Sequence, residues 1–268
     1  MMTGERLAGR VALVSGGGGE IGGAIARLFA AEGAMVAAAD IDPAKSDAVA
    51  RAIRDSGGRA QPLAVDVANA ASAEAAVAGT IEAFGKLTTL VNVAAAATPD
   101  GTVETLSLEQ WNDAIAVNLT GAFLMCKFAV PRMRSAGGGC IINIASQLGH
   151  LGVALRSPYC TTKAALIHFT RILAMDHAVD NIRANTISPG FILTERSSRR
   201  SGGKDKARVI NGPRHLLNRP GEPEEIAAGA LYLASDAAAF VTATDLLIDG
   251  GYVAFKGKVG LDGRPMLP

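Results

Sequence analysis

Tyr159 and Lys163 stand four residues apart in PYCTTKAAL, so on a helix their side chains share one face. A phenol with an ordinary pKa of about 10 is a poor base at neutral pH, and a nearby ammonium favours its ionised form. The pair can therefore act as an acid/base. Ser146 ends the apolar run CIINIAS thirteen residues before Tyr159, where its hydroxyl could hold a substrate oxygen beside the phenol or simply cap a turn. Asn118, in AVNLTGAF, is an awkward amide in an apolar helix unless its hydrogen bonds are used, and tied to backbone it would be a packing amide.

A second chemistry lies upstream. Ser15 is followed by the glycines of 16–19 and by Glu20-Ile21-Gly22, which opens the helical pattern AIARLFAAEG. A glycine turn between strand and helix lets the backbone approach a pyrophosphate, whose charge the helix N-terminus favours, and Gly16 and Gly22 are the useful pair. Asp40 ends the next apolar run, where an acid can accept hydrogen bonds from adenosine ribose hydroxyls and repel a 2′-phosphate. Its alternative is a helix cap ahead of Pro43, a role Asp42 fills better. No Lys or Arg lies in the glycine turn or immediately after Asp40, which favours NAD over NADP as cofactor.

The elements that must position these groups alternate. Arg10 to Ser15 reads as a buried strand; AMVAAAD, AQPLAVDV, LTTLVNVAA, CIINIAS, IRANTIS and DLLID follow. Helical patterns lie between them, over Pro43–Ser56, Ala71–Phe84, a long stretch from Ser107 past Trp111, Tyr159–Asp176 and Glu224–Leu233. This predicts an α/β fold, a Rossmann-like doubly wound parallel sheet of about seven strands flanked by helices, in one domain over residues 1–268. The polar segment 194–217 breaks the rhythm and is placed as a substrate lid, with a C-terminal extension over 252–268.

Composition narrows the partners. Lysines and arginines number 26 against 25 acids, so nothing calls for nucleic acid or an anionic membrane, and a small molecule is the expected partner. The three cysteines have no metal-ligand spacing, no metal site is expected, and free thiols suit a reducing compartment. No apolar run approaches the roughly 20 residues of a membrane span, so a cytoplasmic protein is expected.

Taken together, these residues resemble the short-chain dehydrogenase/reductase family from Arg10 to Tyr252. The family's glycine signature corresponds to Ser15–Gly22, including Gly16, Gly19, Ile21 and Gly22; its NAD-selecting acid to Asp40; and its adenine-contacting pair to Asp66 and Val67. Its catalytic tetrad falls on Asn118, Ser146, Tyr159 and Lys163. Asn92 lies in the cofactor-side turn, and Pro189, Gly190, Ile192 and Thr194 match the stretch that holds the nicotinamide carboxamide. The resemblance implies that Tyr159 exchanges the substrate proton, Lys163 binds the nicotinamide ribose and lowers the phenol pKa, Ser146 orients the carbonyl or alcohol, and Asn118 holds a relay water. It also implies a homo-oligomer, a tetramer above a dimer. The expected function is hydride transfer between NAD(H) and an alcohol or ketone. The alternatives are a 3-oxoacyl thioester reductase and a non-catalytic NAD-sensing protein.

The chain departs from the family pattern in places. Glu20 replaces the middle glycine, and its side chain is expected to point to solvent in the first turn. Val93-Ala94-Ala95 follows Asn92 where Asn-Ala-Gly is usual, and Ala243 stands for a glycine. Arg196, Arg199, Arg200, Lys204, Lys206 and Arg208 load the lid with positive charge, either to attract an anionic substrate or as a solvated loop. His150, Leu151, Leu155 and Phe191 are placed along the substrate pocket or in ordinary packing, and 255–268 is placed towards a neighbouring subunit.

Overall fold

The computed structural model describes residues 5–255, 257–260 and 264–266. Short apolar runs form seven strands: β1 (Val11–Ser15), β2 (Met35–Asp40), β3 (Arg59–Ala64), β4 (Thr89–Asn92), β5 (Gly139–Ile144), β6 (Ile182–Pro189) and β7 (Asp245–Ile248). All pair in parallel, in the order β3-β2-β1-β4-β5-β6-β7. Central strands covered on both faces must be apolar throughout, which is why β1 and β4 read as continuous runs without alternation. Successive residues still part: Ala12, Val14 and Ile142 enter one apolar cluster with Phe29 and Ile226, whereas Leu13, Leu90 and Ile141 enter the other with Met125 and Leu173. The chain steps outwards from β1 to β3 and returns to the other side of β1 at β4. That reversal opens a crevice at the C-terminal ends of β1 and β4, where sheets of this kind take their ligands.

Nine helices are described: α1 (Glu20–Ala31), α2 (Pro43–Asp55), α3 (Ala70–Phe84), α4 (Leu108–Ile115), α5 (Gly121–Ser135), α6 (Ser157–His177), α7 (Glu195–Ser198), α8 (Lys204–Asn211) and α9 (Pro223–Ala234). A π-helical turn, Ala116–Thr120, joins α4 to α5. The joined helix, Leu108–Ser135, corrects the expectation about membrane length: it contains a stretch of mean hydropathy 1.5, half of it buried in the protein. The lid segment is ordered as α7, a 3₁₀ turn, α8 and a second 3₁₀ turn at Gly212–Arg214. Beyond it, β8 (Lys258–Val259) and β9 (Pro265–Met266) form an antiparallel hairpin. There β8 lies against the Gly212–Arg214 turn of the same chain, with Val259 buried.

A polar ladder crosses the middle of the sheet. Ser15 Oγ donates to Asn92 Oδ1 (3.3 Å), Asn92 Nδ2 to Asn143 Oδ1 (2.8 Å), Asn143 Nδ2 to Thr170 Oγ1 (2.8 Å), and Thr170 Oγ1 to Leu166 O (2.7 Å). Strand register sets it up, since Ser15 pairs with Asn92 and Asn92 with Asn143. All four side chains are buried. Removing one member strands its neighbours without water. Asn143→Ala should therefore lower the free energy of unfolding by about 2–4 kcal/mol. Urea unfolding at fixed protein concentration measures this, and a loss below about 0.5 kcal/mol would show that the ladder does not stabilise the fold.

Candidate active site

The C-terminal end of β5 is where the acid/base residues meet. α6 opens with Ser157-Pro158, a proline that suits a first helical turn, and this puts Tyr159 and Lys163 on the turns nearest the sheet. Lys163 is buried and its Nζ donates to Ile144 O at 2.7 Å. Ser146 lies two residues beyond Ile144; its Oγ accepts from Leu148 N (3.1 Å) and also hydrogen-bonds the phenol of Tyr159. Asn118 sits in the π-turn, buried, with Oδ1 accepting from Ala96 N (2.8 Å) and Nδ2 donating to Thr162 Oγ1 (3.3 Å). Thr162 Oγ1 donates in turn to Tyr159 O (3.0 Å), so Asn118 ties the loop after β4 to the catalytic turn of α6. Helical turns of the π type are often found at functional sites.

The electrostatics differ from the expectation. Burial holds the Tyr159 phenol above its usual pKa, opposed by the Ser146 hydrogen bond and then by the charges of Arg196 and Arg156. Burial, followed by repulsion from Arg196, brings Lys163 down to about 8. The ammonium of Lys163 lies 5.8 Å from the phenol ring centroid and is turned to Ile144, whereas the Arg156 guanidinium carbon is 5.1 Å away. The cations that favour the phenolate here are arginines. Arg156 was missed in the sequence, although it precedes Tyr159 by three residues, a spacing that makes helix neighbours.

The nucleotide side of the crevice is shaped by glycine. Gly16 has φ +70°, and a Cβ there would lie 2.7 Å from Ala94 N; a Cβ on Gly22 would lie 2.1 Å from Gly16 O. Gly19 caps α1 without a side-chain hydrogen bond, so the first-turn N–H groups are left for an anion. Asp40 accepts from Gly18 N (3.0 Å) and Asp42 N (3.1 Å), while Asp42 takes the cap of α2 by accepting from Ala44 N (3.1 Å). Lys45 comes near this turn but pairs with Asp42 at 3.6 Å. Asp66 is exposed just past β3, where Val65 N donates to Asp40 O (2.9 Å), and Val67 is buried beneath Gly121. Ile21 packs against the first apolar cluster, and Ser15 and Asn92 carry the ladder. On the far side Pro189 ends β6, Gly190 lies so close to Asp249 that a Cβ would stand 2.8 Å from its Cα, and Ile192 is buried beside Gly221. Thr194 caps α7, accepting from Ser197 N (3.1 Å). A glycine cradle, an uncapped helix N-terminus and an acid at the next strand end fit a dinucleotide.

Several readings need correction. Glu20 does not point to solvent: its carboxylate accepts from Glu195 N (2.7 Å) and pairs with Lys204 (3.2 Å), fastening the lid to α1. Ala243, where a glycine was expected, adopts φ +58°, so the conformation is kept at the strain of a side chain. His150 is bound to Asp245 at 2.6 Å, at the start of β7, so it serves packing there. His215, not singled out in the sequence, is buried and fixes the lid: Nδ1 donates to Asn211 O (2.8 Å) and Nε2 accepts from Phe191 N (3.2 Å).

The chain matches the family model described as enoyl-(acyl carrier protein) reductase over residues 18–253. It is 41% identical to the 2,5-dichloro-2,5-cyclohexadiene-1,4-diol dehydrogenase of Sphingobium indicum, over 92% of this chain and 98% of that one. It is 40% identical to the D-threitol dehydrogenase of Mycolicibacterium smegmatis, over 92% and 94%. It is 39% identical to the NAD-dependent glycerol dehydrogenase of Listeria innocua, over 91% and 93%. A glycine turn at the sheet's reversal, a Tyr-Lys pair at the next strand end and these likenesses over nearly the whole length lead to one conclusion: the chain belongs to the short-chain dehydrogenase/reductase family and is an oxidoreductase.

Proposed function

We propose that this protein is an NAD-linked dehydrogenase of small secondary alcohols in which Tyr159 exchanges the substrate hydroxyl proton. The observation that carries the reading is the meeting of Ser146, Tyr159 and Lys163 at the end of β5, facing the glycine crevice. The nicotinamide, when bound, supplies the hydride acceptor or donor. In oxidation the ionised phenol takes the hydroxyl proton while Ser146 holds the same oxygen; in reduction the protonated phenol returns it. Lys163 would hold the nicotinamide ribose, and Asn118, itself held by Ala96 and Thr162, would supply the relay's water site. Residues 194–217 would close over the substrate, the whole chain acting as one catalytic domain in the cytoplasm.

Asp40 supports NAD, as does the NAD dependence named for the Listeria relative. A second reading is a 3-oxoacyl thioester reductase; the matched family model, described as enoyl-(acyl carrier protein) reductase, shares the acyl-carrier substrate class but names reduction of a C=C bond and not of a ketone. Two exposed apolar faces support a homotetramer: Phe123 with Ile172, Met175 and Val179 along α5 and α6, and Tyr232, Phe240 and Leu247 around α9 and β7.

Tyr159→Phe should lower kcat by about 10²–10⁴-fold while NADH binding, followed by fluorescence, survives; unchanged turnover would remove the tyrosine from the mechanism. Because burial raises the phenol pKa, its base form is scarce at neutral pH. Alcohol oxidation should therefore rise with pH through the alkaline range and ketone reduction should fall, with Lys163 titrating at about 8. An oxidation kcat/KM flat from about pH 7 to about pH 10 contradicts this. NADH should bind at least about tenfold tighter than NADPH, with the gap narrowed by Asp40→Ala. Preference for NADPH, together with turnover of an acetoacetyl thioester, would instead select the thioester reductase. Light scattering should give the tetramer mass, and a monomer would end that part of the proposal.

A further inference from the structure

Three segments around the phenol bring it an excess of arginine. Arg156 precedes α6 with its guanidinium carbon 5.1 Å from the Tyr159 ring centroid. Its Nη1 donates to Asp100 (3.0 Å), and the same carboxylate accepts from Arg200 Nη1 (2.7 and 3.0 Å), whose Nη2 donates to Thr98 O (3.1 Å). Arg196, on α7, donates to Ala95 O (2.7 Å) and to Ala96 O, two neutral carbonyls. Two guanidinium groups thus share one carboxylate, and the third, Arg196, has no carboxylate partner among the described residues. Lys204 and Arg208 in the same segment, and Arg219 just beyond it, are paired with Glu20, Glu222 and Glu225. Arg196 is set apart because neutral carbonyls alone answer its charge while that charge acts on the buried phenol.

Two further observations point to a ligand. Arg156 Nε is buried and donates to nothing among the described residues, an omission that folded proteins rarely tolerate. Leu155, immediately before it, holds φ +65°, a left-handed conformation costly for leucine, and is fixed there by Gly101 N donating to Leu155 O (3.0 Å). Such strain persists where surrounding structure enforces it, often at ligand clamps. The charge of Arg196 also acts on both Tyr159 and Lys163, which places it within electrostatic reach of the reacting group.

We propose that Arg156 and Arg196 form a seat for a carboxylate carried by the alcohol substrate, making the substrate a short hydroxy acid; this rests on the dehydrogenase reading above. The arginines come from α7 of the lid and from the turn before α6, so an anion between them holds the lid down as it orients the hydroxyl towards Tyr159. Asp100 and two carbonyls occupy three of the ten N–H donors of the pair, and the planar forks left over match the two oxygens of a carboxylate.

The test is kcat/KM with NAD for hydroxy acids of three to six carbons, each beside its amide, in wild type, Arg156→Gln, Arg196→Gln and Arg196→Lys. The acid should be preferred by about 10–100-fold in wild type, the ratio collapsing towards one in both glutamine variants and partly kept in Arg196→Lys. Calorimetry with NADH present should show butyrate binding tighter than butyramide, with the difference lost in the same variants. Equal handling of acid and amide, or turnover of neutral alcohols alone, overturns the carboxylate seat and leaves the dehydrogenase reading standing. Turnover of nothing in the panel, neutral alcohols included, overturns the dehydrogenase reading, and the butyrate titration still decides the seat. Inorganic phosphate displacing butyrate with higher affinity overturns the carboxylate in favour of a phosphorylated substrate.

Discussion

Buried amides have to be paired, and the pairing of Asn92 with Ser15 on one side and Asn143 on the other fixes the strand ends that frame the crevice. A slip of one residue in β4 or β5 would turn these side chains to the opposite face and leave several polar groups stranded in the core. The ladder continues into Thr170 of α6, the helix that carries Tyr159 and Lys163. One connected set of hydrogen bonds therefore reaches from the glycine turn after β1 to the acid/base helix. The two sides of the crevice are set against each other by the core itself, and Asn118 ties the loop after β4 into the same frame.

Given that frame, the protonation state of the phenol depends on which environment wins. Burial favours the neutral form, and it prevails over the hydrogen bond from Ser146 and the two arginine charges. A cation held near a buried phenol eases its ionisation, but the same cation opposes the charge on Lys163. Arg196 therefore pulls in two directions, supporting the phenolate while weakening the ammonium. An arrangement in which the cations around the phenol outnumber their carboxylates is costly to maintain without a counter-charge, which explains why Arg196 leans on carbonyl oxygens and Arg156 on a shared acid.

The sheet was legible in the sequence because parallel strands covered on both faces have to be apolar, and the glycine turn because only glycine tolerates the approach of Gly22 to Gly16 O. That Tyr159 and Lys163 share the opening turns of one helix was legible through their spacing. The π-turn at Asn118 was not, since a shift of one hydrogen bond from the fourth to the fifth residue leaves no trace in composition. Asn143 and Thr170 escaped notice because their partners are defined by strand register and helix placement. The lid's charge was visible, but which of its cations lacked an acid was not, because Glu222 and Glu225 become partners only once the chain folds back. The joined helix over Leu108–Ser135 shows the same ambiguity in reverse: its apolar stretch is a core feature, and composition alone does not tell it from a membrane span.

Glu20 shows how a departure from a family pattern is absorbed. A carboxylate on the first turn of α1 is favoured by the helix N-terminus but stands where a pyrophosphate is expected, so its charge has to be answered. Lys204 answers it, and Glu195 N–H supplies a second bond, although they lie 184 and 175 residues away in sequence. The same Lys204 reaches Glu195 at 3.2 Å, so one lysine serves two acids on opposite sides of the gap. A dinucleotide bound at the turn would add negative charge beside Glu20 and strengthen the demand for Lys204.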